Sequence, residues 1–78
     1  MARKRVTPLS AKVDYQLYII GMDRFGLATG LGISYQYLSN ILSGRTLLPI
    51  DISRKMGELL EMKDEELRKL AIQYEQTA

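Results

Sequence analysis

The chain has no cysteine, no histidine and no tryptophan, and only two prolines and one phenylalanine among its 78 residues. Without cysteine there is no disulfide framework, no thiol nucleophile and no thiolate metal site. Without histidine the commonest general base and the commonest zinc ligand are both missing, so a histidine-based hydrolytic triad and a zinc finger are excluded. Enzyme chemistry would rest on carboxylates, lysines, serines or tyrosines alone, and no spacing forces two carboxylates together. The expectation is a chain that is not an enzyme and uses no metal or cofactor. Strand-like alternation, repeats and low-complexity tracts are absent as well. The longest uncharged run lies between Arg24 and Arg45, carries Ser, Thr, Gln, Asn and Tyr, and is too polar to span a bilayer. No apolar signal segment follows the basic start, because Thr7, Pro8, Ser10, Lys12 and Asp14 interrupt it. The expected setting is soluble and cytoplasmic.

What is present has the balance of one small globular domain, 26% charged and 46% hydrophobic. The net charge of +2 is unevenly spread. Residues 1–12 hold Arg3, Lys4, Arg5 and Lys12 and no acid; residues 49–78 hold seven acids against five bases. A basic N-terminal arm on a nearly neutral body points weakly to a polyanion, and equally to a solvated terminus. Residues 1–9 are expected to be a flexible basic arm and residues 10–78 a single domain.

Helix signals fill that domain. Thr7-Pro8 or Ser10 can start a first helix, on which Val13, Leu17 and Ile20 share one face before Gly21 stops it. Asp23 is a good N-cap for a second helix over about 23–30, with Leu27, Ala28 and Leu31 inward and Gly32 closing it. Gly26 and Gly30 are poor helix formers, so they predict places where another group comes close. Ser34 caps a third helix over about 34–43, with Leu38, Ile41 and Leu42 inward. After Pro49, with Asp51 as the expected cap, Ile52, Met56, Leu59 and Leu60 line a fourth. A fifth, over about 63–76, has Asp64, Glu65 and Glu66 in its first turn, where the helix dipole favours acids. Met22, Met56 and Met62 fall at core positions. The fold class is all-α, with five short helices.

The stretch Leu27-Ala28-x-x-x-Gly32-Ile33-Ser34, followed by Leu38, Ile41 and Gly44, has a mechanical meaning. A small residue at 28 lets the third helix cross the second closely, Gly32 makes the tight turn, and Ile33 plugs the core. Ser34 caps the helix that Leu38 and Ile41 anchor, leaving its outer face to solvent. These residues resemble the phage repressor and Cro-type (XRE-like) helix-turn-helix family, whose turn reads Leu-Ala-x-x-x-Gly-Val-Ser. Gly44 five residues before Pro49, the Leu60-x-Met62-Lys63-x-x-x-Leu67 stretch, Gly57 at a small-residue position and Gly21 before the second helix extend the resemblance over about residues 13–67. Two departures stand out. Leu17 and Leu42 occupy positions where the family often pairs a base with an acid, which predicts an apolar Leu17–Leu42 contact. Gln16 stands where the family has an apolar residue.

The resemblance implies a DNA-binding regulator, a repressor from a phage, mobile element or bacterium, that binds a double-stranded operator as a homodimer. Tyr35, Gln36, Ser39 and Asn40 would read bases in the major groove. Arg24, Ser34, Tyr37, Ser43 and Arg45 would contact phosphates, and Arg3, Lys4 and Arg5 would reach around the duplex. Leu67, Leu70, Ala71 and Tyr74 would form the dimer surface, unless that stripe packs on its own core. The rival reading is a protein-binding module on the same fold, an antirepressor or co-regulator. It draws on the neutral face of the third helix and the adjacent Tyr35 and Tyr37.

Overall fold

A computed structural model describes residues 7–77, and side-chain surroundings through residue 71. The order is α1 (Pro8–Ile20), α2 (Arg24–Leu31), α3 (Tyr35–Leu42), α4 (Ile50–Leu60) and α5 (Asp64–Thr77), with no strand among the described residues. The all-α expectation stands, and each helix boundary falls within a residue or two of its sequence signals. No described helix is long and apolar enough to cross a membrane.

The first helix begins earlier than a domain starting at residue 10 allows. Thr7 is its N-cap: the Thr7 hydroxyl accepts the Ser10 N–H at 3.0 Å, and the Ser10 hydroxyl oxygen accepts the Thr7 N–H at 2.9 Å. This reciprocal box satisfies two donors that the first turn leaves without helical partners. Pro8 takes the first helical position, where a missing N–H does no harm. The Thr7 hydroxyl also donates to the carbonyl of Leu42 at 2.6 Å, tying the start of α1 to the end of α3. Thr7 and Leu9 are both 2% exposed. Residues 7–9 therefore belong to the folded unit and not to an arm; residues 1–6 lie outside the described part.

The α2–α3 connection is three residues long. Gly32 ends α2 at φ +73°, a left-handed conformation that side chains rarely adopt. Asp23 caps α2 by accepting the Gly26 N–H at 2.8 Å, and Ser34 caps α3 by accepting the Tyr37 N–H at 3.0 Å. Ile33, within the turn, packs partly buried against the core. The two helices thus start and stop where the sequence signals place them.

At the α4–α5 corner the backbone approach is closest. A Cβ on Gly57 would stand 2.7 Å from the Met62 carbonyl oxygen, so only glycine permits this corner. Close approach also explains Gly30, where a Cβ would stand 2.9 Å from Leu59. Pro49, not Asp51, is the N-cap of α4, and it makes no side-chain cap bond; Asp51 lies in the first turn, where its charge suits the dipole.

The core runs through all five helices. Val13, Leu27, Leu38, Met56, Leu60 and Leu67 are all fully buried at its centre. Leu17 and Leu42 join the same cluster, 3% and 1% exposed, so neither position holds a charge. Met22 and Met62 pack partly buried against it. Gln16, the polar departure on α1, donates from Nε2 to the Leu60 carbonyl at 2.9 Å. That carbonyl lies in the last turn of α4, where acceptors lack helical partners.

The described part of the C-terminal stripe packs inward. Leu67 is fully buried, and Leu70 and Ala71 pack partly buried against the core. Leu67 is thus no dimer surface, because the thin core of a chain this short needs it. The side chain of Tyr74 lies outside the described residues.

Candidate functional site

The inward anchoring of α3 decides what its other side presents. Leu38, Ile41 and Leu42 are buried, which turns Tyr35 and Gln36 out to solvent and leaves Ser39 and Asn40 half-buried at the edge. The four expected base-reading residues therefore share one side of the helix. Gln36 and Asn40, one turn apart, are linked: Gln36 Nε2 donates to Asn40 Oδ1 at 3.3 Å. The link uses one donor and one acceptor. It leaves Gln36 Oε1 and the Asn40 amide N–H groups unused, so the pair still offers both an acceptor and donors.

The expected phosphate contacts divide. Arg45 is exposed beyond the end of α3 and forms no ion pair among the described residues. Ser34 spends its oxygen on the cap of α3 and keeps only its hydroxyl proton to donate. Ser43 is further committed: its hydroxyl donates to the Asn40 carbonyl at 3.2 Å, so its single proton is not free for a phosphate. Tyr37 packs half-buried against the core, which draws its ring away from the outer face. Arg3, Lys4 and Arg5 lie outside the described residues.

Arg24 is already paired within the fold. Its guanidinium forks onto Asp14 of α1, Nε to Oδ1 at 2.9 Å and Nη2 to Oδ2 at 2.7 Å. This two-pronged geometry is the strongest an arginine makes with a carboxylate. The hydrogen bonds that Arg24 donates to Asp14 raise the Arg24 pKa above its ordinary value, against the opposing effect of burial, with smaller contributions from Tyr35. Arg24 stays charged, with two of its five N–H donors committed to Asp14. A phosphate would have to share the guanidinium with that carboxylate, whose negative charge offsets part of its pull.

Two further residues belong to this surface. Phe25, the second residue of α2, stacks on Tyr35, the first of α3, with ring centroids 4.2 Å apart and planes 18° from parallel. Phe25 is 63% exposed and Tyr35 is 37% exposed. A helical position two residues before Leu27 is rotated roughly 200° away from it, so the inward residues of α2 already direct Phe25 outward. Its meeting with Tyr35 is a tertiary fact that spacing cannot supply. Asp14 is the other addition, ten residues before its partner and on a different helix.

Exposed apolar side chains also occur elsewhere. Tyr15, Tyr18 and Ile19 lie along one outer face of α1, and Leu47 and Ile50 flank Pro49. The described residues hold no cluster of three or more acidic side chains that would suit a metal ion. Comparison of the chain with protein-family models, with curated proteins and with solved structures finds no match.

Proposed function

We propose that this chain is a helix-turn-helix DNA-binding regulator that reads an operator from the major groove with α3. The observation that carries the reading is the side chains on the solvent side of α3. Tyr35, Gln36, Ser39 and Asn40 stand together there, on a helix whose opposite side is anchored in the core. An α-helix fits the major groove, and amide side chains pair with adenine edges at about 1–3 kcal/mol of discrimination per good contact. Arg45 and the basic residues Arg3, Lys4 and Arg5 are the available phosphate ligands. With Arg24 held by Asp14, four cations per protomer give a salt slope of about 3 to 4, and about 7 for a dimer. Affinity at physiological salt therefore calls for two protomers on a two-fold site, with half-sites about one helical turn apart. Occupying that site would repress transcription of the neighbouring gene. A bacterial or phage-encoded protein acting in the cytoplasm follows from the same reading.

One observation favours a second reading. The exposed rings of Tyr15, Tyr18, Phe25 and Tyr35 are more apolar surface than a phosphate-gripping face needs, and aromatic side chains are enriched where proteins meet. A protein-binding module, an antirepressor or co-regulator, would use them. Selection of bound duplexes from a randomised library separates the two. A regulator enriches a two-fold sequence, and Gln36→Ala with Asn40→Ala removes the enrichment while leaving the protein folded. A protein-binding module enriches nothing, and the double substitution leaves its behaviour on DNA unchanged.

A further inference from the structure

Phe25 is not needed to hold the fold together. Its ring is 63% exposed, and its stack on Tyr35 covers one face of the tyrosine and leaves the phenylalanine outermost. Leaving a large apolar ring in water gains nothing for folding beyond the stacking itself. The stack is nevertheless well fixed. Tyr35 is the first residue of α3, directly after the Ser34 cap, and Arg24, beside Phe25 in sequence, is forked onto Asp14. The result is an apolar wall at the N-terminal end of α3. It adjoins Gln36, whose amide is linked in turn to Asn40.

We propose that Phe25 is a specificity-determining residue that reads the 5-methyl group of a thymine, from α2 rather than from α3. The inference rests on the DNA reading above. Among the base edges of the major groove, the thymine 5-methyl is the apolar one; the others present donors and acceptors. A ring stacked on Tyr35, the residue before Gln36, complements a thymine neighbouring the base pair that Gln36 and Asn40 contact. Tyr35 supports the ring on one face, and Phe25, the more exposed of the two, supplies the larger apolar surface.

Deoxyuridine removes the methyl group and keeps every hydrogen-bonding atom of thymine, so it isolates this contact. The probe is a duplex selected from a randomised library, with its thymines replaced by deoxyuridine one at a time. At one base pair in each half-site the replacement should weaken binding by roughly 4-fold, the change expected from unburying one methyl. In Phe25→Ala the same replacement should have no effect, and Phe25→Leu should keep part of it. Sensitivity to changes at the base pairs read by Gln36 and Asn40 should survive in both variants. Because Phe25 is exposed, helical circular dichroism should match the wild type. If deoxyuridine weakens binding nowhere, or if the loss persists in Phe25→Ala, the inference fails while DNA reading stands. If no duplex is enriched over random DNA, both fall together.

Discussion

Replacing Thr7 by valine removes one hydroxyl and tests how α1 is tied to α3. That hydroxyl does two things at once. It caps α1 by accepting the Ser10 N–H, and it donates to the Leu42 carbonyl at 2.6 Å. Loss of an N-cap is worth about 1 kcal/mol, within a range of roughly 0.5–2. A buried carbonyl left without a donor adds about 1–3 kcal/mol. The 2.6 Å gap is also too short for a methyl group, so valine overpacks the site instead of relaxing it. Together these give a loss of about 2–4 kcal/mol, against a total stability of about 4–12 kcal/mol for a chain of this size. In urea, with a slope near 1 kcal/mol/M, the midpoint should fall by about 2 M or more. Thr7→Ser keeps both hydrogen bonds and loses one methyl, so it should cost only about 1 kcal/mol. The reasoning is refuted if Thr7→Val unfolds within about 0.5 kcal/mol of the wild type, or if Thr7→Ser is as damaging as valine.

Three other substitutions probe separate parts of the account. Gly57→Ala should destabilise by about 1–3 kcal/mol in the same titration, because its Cβ meets the Met62 backbone and not a movable side chain; a neutral result would show that the α4–α5 corner can open. Leu17→Arg should be strongly destabilising alone and partly rescued by Leu42→Glu, since both side chains are buried in one cluster; strictly additive effects in the double-mutant cycle would show that the two positions do not interact. Asp14→Asn releases the Arg24 fork at little cost in stability, about 0–1 kcal/mol for a partly exposed pair. On the DNA reading it should also steepen the salt dependence of binding by about 0.9 per protomer, and an unchanged slope would mean that Arg24 stays away from phosphate even when free.

Much of this fold is legible in the residues because its helices are punctuated locally. Asp23, Ser34, Gly21 and Gly32 act within a few residues of themselves, so their caps and stops can be read without knowing the tertiary structure. Thr7 is harder to read. Thr7-Pro8 and Ser10 are both possible helix starts after a basic segment that looks like a tail, and the burial of Leu9 and the bond to Leu42 decide for Thr7. The inward stripe of α5 and a dimer surface have the same periodicity, and a thin core claims Leu67. The site divides along the same line. Tyr35, Gln36, Ser39 and Asn40 follow from the helical period once Leu38, Ile41 and Leu42 are known to face inward. The Arg24–Asp14 fork and the Phe25–Tyr35 stack join different helices, and no spacing rule connects residue 14 to 24 or 25 to 35. The exposed face of α1 is also visible only after Val13 and Leu17 have fixed which side is buried.

The central claim is that α3 reads DNA, and binding across a salt series tests it most directly. Wild-type protein should bind a selected two-fold duplex far more tightly than random DNA, with a slope of log K on log salt near 7 for the dimer. The Gln36→Ala, Asn40→Ala variant should keep most of that slope and lose the preference between the two DNAs. Equal, weak binding to both duplexes by the wild type, abolished at modest salt, would contradict the account and leave the exposed aromatic surface to a protein partner.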